Sequence, residues 1–367
     1  MASIGLRLET IPNPRGFDYM RIGLSICVLI SHSFDLSDAL AAKHWTTTSP
    51  FAPFKLAILP MFFGVSGFLV AGSLARSRTA EGFLTLRAVR LMPALAAEIF
   101  LSALLMGPLV TVVPLRAYFS DPLFWRYFLN LLGDPQYLLP GVFLDHPRPE
   151  VNGQLWTIPY ELWCYGALAL LGGLGLMRRR WMGLLFLIGF TLAIWVGGLL
   201  TPAPRGPWLY AWSLLNACLA GVVVYLYRYR LPWSSRWGVV SFIATALLYI
   251  YPHTRALAMV PIAYFTVWLG LYNPRATWLA GRYDYSYGVY VLAYPIQQLL
   301  WSWPPLRPWY ANILTALPLT LVAAACSCHF VERPFLLRKR PIVAWVEAVG
   351  ARPRALLGRV LRRRSPG

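Results

Sequence analysis

Charge is scarce in this 367-residue chain: charged residues make up 13% of it against 58% hydrophobic ones. With a mean hydropathy of +0.54, there is too little polar surface to coat a soluble globule of this size. Acidic residues are scarcer still, 14 against 33 lysines and arginines, for a net charge of +19. In a soluble protein that balance would suggest nucleic-acid binding, but no soluble domain is large enough to carry it, so no nucleic-acid partner is expected. Cysteine is sparse too. Cys27, Cys164, Cys218, Cys326 and Cys328 all fall within predicted helices, and a two-residue spacing points Cys326 and Cys328 to different faces. A disulfide framework or a metal site is therefore not expected, and they read as small buried apolar residues. Neither an internal repeat of transporter type, nor a low-complexity linker, nor a folded extramembrane domain is evident. A cleavable signal is not expected either, because the first apolar run begins near Ile22 and is as long as a spanning helix.

What the chain does have is long apolar runs. Stretches near 20–39, 55–75, 91–113, 154–177, 181–200, 208–227, 237–252, 256–272, 285–303 and 311–331 predict an all-α, polytopic membrane protein with roughly ten transmembrane helices. Sixteen tryptophans and twenty tyrosines suit the aromatic belts of a bilayer. Placing the N-terminus inside assigns most of the 33 basic residues to the cytoplasm, among them Arg76, Arg78, Arg87, Arg90 and those from Arg333 onward. The positive-inside rule thus predicts that both termini are cytoplasmic. We expect a transmembrane domain over 1–340 and a basic cytoplasmic tail over 341–367, with the last 35 residues lying on anionic lipid headgroups. In the longest outer connection, about 114–153, the aromatic stretch Leu123 to Leu132 predicts a helix at the interface.

Against that apolar background a few polar residues stand out. His32 lies eleven positions after Arg21, about 16 Å into the bilayer at 1.5 Å per residue, where ionisable groups usually face a bundle interior or a wet cavity. Histidine suits a general base near neutral pH, and Asp35, three positions on, can share its helix face and orient the ring. The alternative is a histidine satisfied by neighbouring helices. Arg87 and Arg90 are likewise three apart, and paired guanidiniums match phosphate oxygens; ordinary cytoplasmic charge is the alternative, and accounts well for Arg76 and Arg78. Glu161 has no charged neighbour on its own turn and needs a partner from another helix, or protonation. Glu98 poses the same question. Ser66, Gly64 and Gly67 are small enough to let helices approach closely. His44, His146, His253 and His329 read as interfacial or loop residues.

Six motifs occur in order along the chain: R-G-F-D-Y-M-R-x10-H at 15–32, F-F-G-V-S-G-F-L-V at 62–70, R-A-V-R at 87–90, L-W-T-I-P-Y-E-L at 155–162, Y-S-Y-G-V-Y at 285–290 and F-V-E-R-P-F at 330–335. In this it resembles the acyltransferase-3 family, integral-membrane O-acyltransferases that modify cell-surface polysaccharides, O-antigens, peptidoglycan and some antibiotics. The V-N-G-Q-L-W-T-I-P-Y-E stretch is similar to that of polysaccharide O-acetylases. The resemblance implies a bacterial inner-membrane enzyme moving an acyl group from cytoplasmic acyl-CoA, chiefly acetyl-CoA, to a hydroxyl of a surface glycan or its lipid-linked precursor. It implies a catalytic role for His32, with Glu161 and Asp35 beside it, and a donor site formed by Arg87, Arg90, Arg21, Ser66 and Arg15. It leaves open whether Glu332 and Arg333 anchor the fold or touch the donor.

Two departures temper the resemblance. Many relatives carry a second histidine after the S-Y-G-x-Y motif, where this chain has Ala293. No esterase-like outer domain of the kind fused to some members is read in the chain, so if transfer outside the membrane requires such a partner, either it is a separate chain or transfer finishes within the membrane domain. The rival class is a polytopic transporter or flippase of a glycan or lipid, which would more often show inverted repeats.

Overall fold

The computed structural model describes residues 2–37, 51–175, 179–200 and 207–350; His44, Arg178 and the tail from 351 lie outside the described residues. Those described form helices and no strand, apart from one isolated bridge between Ser3 and Pro232. After a short α1 (Ile4–Thr10) come α2 (Gly16–Leu36), α3 (Ala52–Arg76) and α4 (Ala80–Val110). The long connection holds α5 (Leu115–Ser120) and α6 (Pro122–Tyr127). It is followed by α7 (Ile158–Gly173), α8 (Arg180–Leu200), α9 (Pro207–Leu226) and α10 (Ser235–Ile250). The chain continues with α11 (Met259–Gly270), α12 (Ser286–Trp301), α13 (Trp309–Leu337) and a helix α14 over 339–350.

Each predicted apolar stretch coincides with a helix. By length and composition alone, four of them are long and apolar enough to cross a membrane, α3, α4, α8 and α13, with shorter apolar helices at α9 to α11. The largest boundary difference is at α4, which starts at Ala80 rather than near 91. Thr79 caps it, its hydroxyl accepting from the Gly82 N–H at 3.0 Å, with Glu81 in the first turn. Arg87 and Arg90 therefore sit on a formed helix, two to three turns in.

The centre of the bundle is α3, which packs most extensively on α9 and also against α11 and α2. Glycine makes that contact. A Cβ on Gly67 would lie 2.0 Å from the Cys218 carbonyl oxygen, and one on Gly221 2.0 Å from that of Gly64. Helices in an apolar solvent gain from such close approach because burial of apolar surface no longer separates packed from unpacked states.

Polar side chains tie α2 into the same bundle. Gln297 on α12 donates to the Leu29 carbonyl (2.8 Å) and to Ser33 Oγ (2.6 Å), which in turn donates to Asn312 Oδ1 on α13 (2.9 Å). These bonds set the rotation of α2 immediately beside His32.

Two π-helical turns interrupt the long helices, Ser102–Met106 in α4 and Ser327–Glu332 in α13. Such turns shift side-chain direction by inserting a residue. The second leaves Glu332 fully buried. The long connection is more than a loop: Tyr118, Phe124 and Tyr127 form a buried cluster with Leu95 and Ile99 of α4. The expected aromatic helix is present as α6 and the 3-10 turn Phe128–Leu132.

The Gly67–Gly221 crossing leads to a direct prediction. Gly221→Val should destabilise the protein by about 1–3 kcal/mol or more through overpacking, read as a lower unfolding midpoint in detergent. Gly189→Ala on α8, where an added Cβ meets nothing within 4 Å, should be neutral or stabilising by up to about 1 kcal/mol.

Candidate active site

A cavity of about 1060 Å³ runs between α3, α4, α7 and α12. It follows α3 from Leu59 to Arg76, about 25 Å at 1.5 Å per residue. One end is basic, with Arg76 at the end of α3, Arg78 from the α3–α4 turn and Lys339 and Arg340 at the start of α14; the other holds the Phe62 and Tyr290 rings and the Thr157 hydroxyl. Between these ends the lining includes Arg87, Arg90, Arg21, Ser66 and Glu161, so five of the predicted site residues share one chamber. Arg15, Asp35 and His32 do not line it.

The three arginines are not equivalent. Arg90 Nη2 donates to Asp284 Oδ2 (2.5 Å) and its Nη1 to Glu332 Oε2 (2.9 Å), while Arg21 Nη1 reaches the same Asp284 oxygen (2.5 Å). The Ser286 N–H (3.1 Å) and hydroxyl (2.5 Å) donate to Asp284 Oδ1. Two guanidiniums and two carboxylates thus form a neutral cluster joining α2, α4, the start of α12 and α13. Burial alone would raise the Asp284 carboxyl, but Arg21, Arg90 and the Ser286 donors hold it well below the usual carboxylate range. Of the last motif, Glu332 anchors Arg90, and the Arg333 guanidinium stacks over Tyr283 at 5.7 Å.

Arg87 has no carboxylate partner among the described residues. Its Nη2 donates to Ser73 Oγ (3.1 Å), and its buried Nε has no hydrogen-bond partner there. Of the two arginines in the motif, this one lines the cavity without an ion pair among the described residues, as an anion site requires.

Deeper in, Tyr165 donates its hydroxyl proton to Glu161. The partner of this carboxylate therefore comes from its own helix, four residues on, where α-helical spacing brings the side chains together. Ser66 lines the cavity while its neighbour Gly67 serves the α3–α9 contact. Tyr290 closes the deep end, hydrogen-bonded to Thr157 Oγ1 (2.5 Å) and donating to the Gln154 carbonyl (3.0 Å). The Phe62 ring packs edge-on against it.

His32 lies just beyond that wall. Its ring packs edge-on against Tyr294 at 4.9 Å, and Tyr294 follows Tyr290 by one turn on α12, about 6 Å along the axis. The imidazole is half-buried and makes no hydrogen bond among the described residues. The carboxylate expected to orient it, Asp35, accepts instead from Lys55 Nζ at 2.7 Å, since an ammonium from α3 stands within reach. Arg15 is engaged elsewhere, its backbone N–H donating to Asn273 Oδ1 (3.2 Å) and its guanidinium to the Pro274 carbonyl (3.4 Å).

Some residues surfaced only in three dimensions. Asp284 precedes the Y-S-Y-G-V-Y motif by one position, and Tyr165 follows the L-W-T-I-P-Y-E-L motif by three; neither carries a pattern of its own. Glu98 is buried beside Ser102 (2.9 Å) in the cluster under the long 114–153 connection, away from the cavity lining. His146, read as a loop or interfacial residue, is buried. Its ring stacks on Phe143 and packs at 4.2 Å from Trp301, with Nδ1 2.9 Å from Gln298 Oε1.

Comparison with known proteins finds a family and two relatives. A family model described as an acyltransferase domain matches residues 15–331. An "O-acetyl transferase" of Shigella phage Sf6 is 24% identical over 337 residues, covering 89% of this chain and 97% of the relative. "Nodulation protein 10" of Rhizobium leguminosarum bv. viciae is 26% identical over 362 residues, covering 89% of this chain and 95% of the relative. No solved structure matches.

The charge cluster and the free arginine should respond oppositely to neutralisation. Asp284→Asn leaves two guanidiniums short of a counter-charge and should cost about 3 kcal/mol, seen as a clear drop in the thermal unfolding midpoint. Arg87→Gln removes a half-buried cation held by one hydroxyl, and should leave that midpoint unchanged or raise it.

Proposed function

The chain belongs to the acyltransferase-3 family, and from that membership we propose that it is a membrane O-acyltransferase carrying an acetyl group from acetyl-CoA to a hydroxyl of a surface glycan or its lipid-linked precursor. One observation carries the reading: a single slender cavity is cationic at one end and lined by aromatic and hydroxyl groups at the other. That polarity suits a thioester with phosphates at one end and a small acyl group at the other. The concentration of Arg76, Arg78, Lys339 and Arg340 at the mouth favours a cytoplasmic opening, which is the side where acyl-CoA is found. The name of the phage relative supports O-acetyl transfer.

In this mechanism Arg87 holds donor phosphate, while Arg90 and Arg21, already neutralised, keep the helices in place around it. The thioester lies at the deep end near Phe62, Thr157 and Tyr290. The acceptor approaches from the His32 side, and the Tyr290–Tyr294 face of α12 separates the two until transfer. His32 takes the proton of the acceptor hydroxyl as its oxygen attacks the thioester carbon. A carbon–oxygen bond forms, the carbon–sulfur bond breaks, and the proton passes from His32 to the departing thiolate, leaving an ester and free coenzyme A. Glu161 and Tyr165, hydrogen-bonded to each other in the wall, orient the donor. We place the protein in the bacterial inner membrane with both termini cytoplasmic and roughly ten helices crossing, a layout to which the basic-residue distribution lends support.

The experiment is acetyl transfer from labelled acetyl-CoA by purified protein in nanodiscs, with thioester hydrolysis as the acceptor-free readout; a transporter would consume no thioester. His32→Ala should lower turnover at least about 100-fold, the low end of what a positioned acid/base contributes, with donor affinity retained. Arg87→Ala should raise the donor Kd about tenfold, and Arg87→Lys should restore it only in part because an ammonium makes no paired contact. Near wild-type turnover without His32 would reject its role as base, and an unchanged Kd would reject Arg87 as the phosphate ligand.

A further inference from the structure

The basic mouth of the cavity is built from two separate parts of the chain. One is the end of α3 and the α3–α4 turn, with Arg76 and Arg78. The other begins at Leu336 and runs into α14, contributing Lys339 and Arg340; it lies beyond residue 331, where the family match ends. This second part is fastened to the first. Thr79 Oγ1 donates to Glu347 Oε1 at 2.7 Å, and a Cβ on Gly82 would come within 2.4 Å of the same carboxylate oxygen. Leu336, Val343 and Ala344 complete the wall on that side.

The charge at the mouth is unbalanced. Among the described residues none of Arg76, Arg78, Lys339 and Arg340 is ion-paired, all four are exposed, and the one carboxylate lining the mouth, Glu347, is the one bonded to Thr79. Four like charges converging on one opening repel one another, and the arrangement favours an anion between them. Resting on the donor reading above, we infer that Lys339 and Arg340 bind the 3′-phosphate of the coenzyme A donor, opposite Arg76 and Arg78, so that the segment after the family domain forms half of the donor site. The thioester must point inward for transfer. The opposite end of the molecule then lies at the mouth, and in coenzyme A that end is the ribose carrying the 3′-phosphate. Arg87, deeper in the same cavity, is left for the diphosphate.

The same ammonium and guanidinium groups would also attract anionic lipid headgroups, so the test separates the two sources of phosphate. Full-length wild type and Lys339→Gln/Arg340→Gln are titrated with acetyl-CoA and 3′-dephospho-acetyl-CoA in nanodiscs of phosphatidylcholine alone, and again with phosphatidylglycerol added. In phosphatidylcholine the double variant should bind acetyl-CoA about tenfold more weakly, with kcat at saturating donor within about twofold of wild type. Both proteins should bind the dephospho donor alike. Lys339→Arg/Arg340→Lys, which keeps both charges, should restore acetyl-CoA binding. An unchanged Kd, a loss seen only with phosphatidylglycerol, an equal loss for both donors, or a fall in kcat without a change in Kd would each overturn the inference. Wild type that binds no acetyl-CoA at all would overturn the acyltransferase reading on which it rests.

Discussion

The contact on which the rest of the site depends is the charge cluster of Arg21, Asp284, Arg90 and Glu332. It joins four parts of the chain distant in sequence, and each guanidinium meets a carboxylate at 2.5–2.9 Å. Charges partly withdrawn from water between helices are tolerable when paired and hydrogen-bonded. Pairing here is complete on both sides, with Ser286 supplying the remaining donors to Asp284 and Ser327 donating to Glu332. The π-helical turn of α13 brings Glu332 to the pair. A regular helix would carry this side chain to a different rotation, because the turn holds one residue more.

With those charges neutralised, the remaining electrostatic asymmetry of the cavity is concentrated at Arg87 and the mouth. Neutral pairs hold helices together, while unpaired cations leave a net field for a ligand. The two roles fall to arginines three residues apart on one helix. Their difference comes from what faces them: Arg90 pairs with Asp284 and Glu332, whereas among the described residues Arg87 hydrogen-bonds the Ser73 hydroxyl and pairs with no carboxylate.

The deep end follows a different logic. Tyr290, Thr157 and the Gln154 carbonyl form a hydrogen-bonded wall, and the Phe62 ring seals its apolar side. His32 sits against the next aromatic of the same helix face, on an α2 whose rotation is set by Ser33, Gln297 and Asn312. Cavity and histidine are thus held by one helix, α12, with one aromatic residue for each.

The sequence alone determined the helical class, the position of each long helix and the residues that stand out against them. Apolar run length and the rarity of intramembrane charge are properties of neighbouring residues, and the bilayer makes them explicit. That is why Arg21, Ser66, Arg87, Arg90 and Glu161, chosen from motifs and spacing, line a common cavity. Pairing between distant segments was decided only by the tertiary structure. Asp284 carries no local pattern, Asp35 turns to Lys55 because α3 brings an ammonium to it, and Arg15 is taken by the 273–274 backbone and side chain. The start of α4 depended on a cap at Thr79 that apolar periodicity does not register. The approach of α14 to the mouth rests on one hydrogen bond between residues 268 positions apart. Spacing along a helix tells which side chains share a face; what that face meets is set by the packing of the other helices.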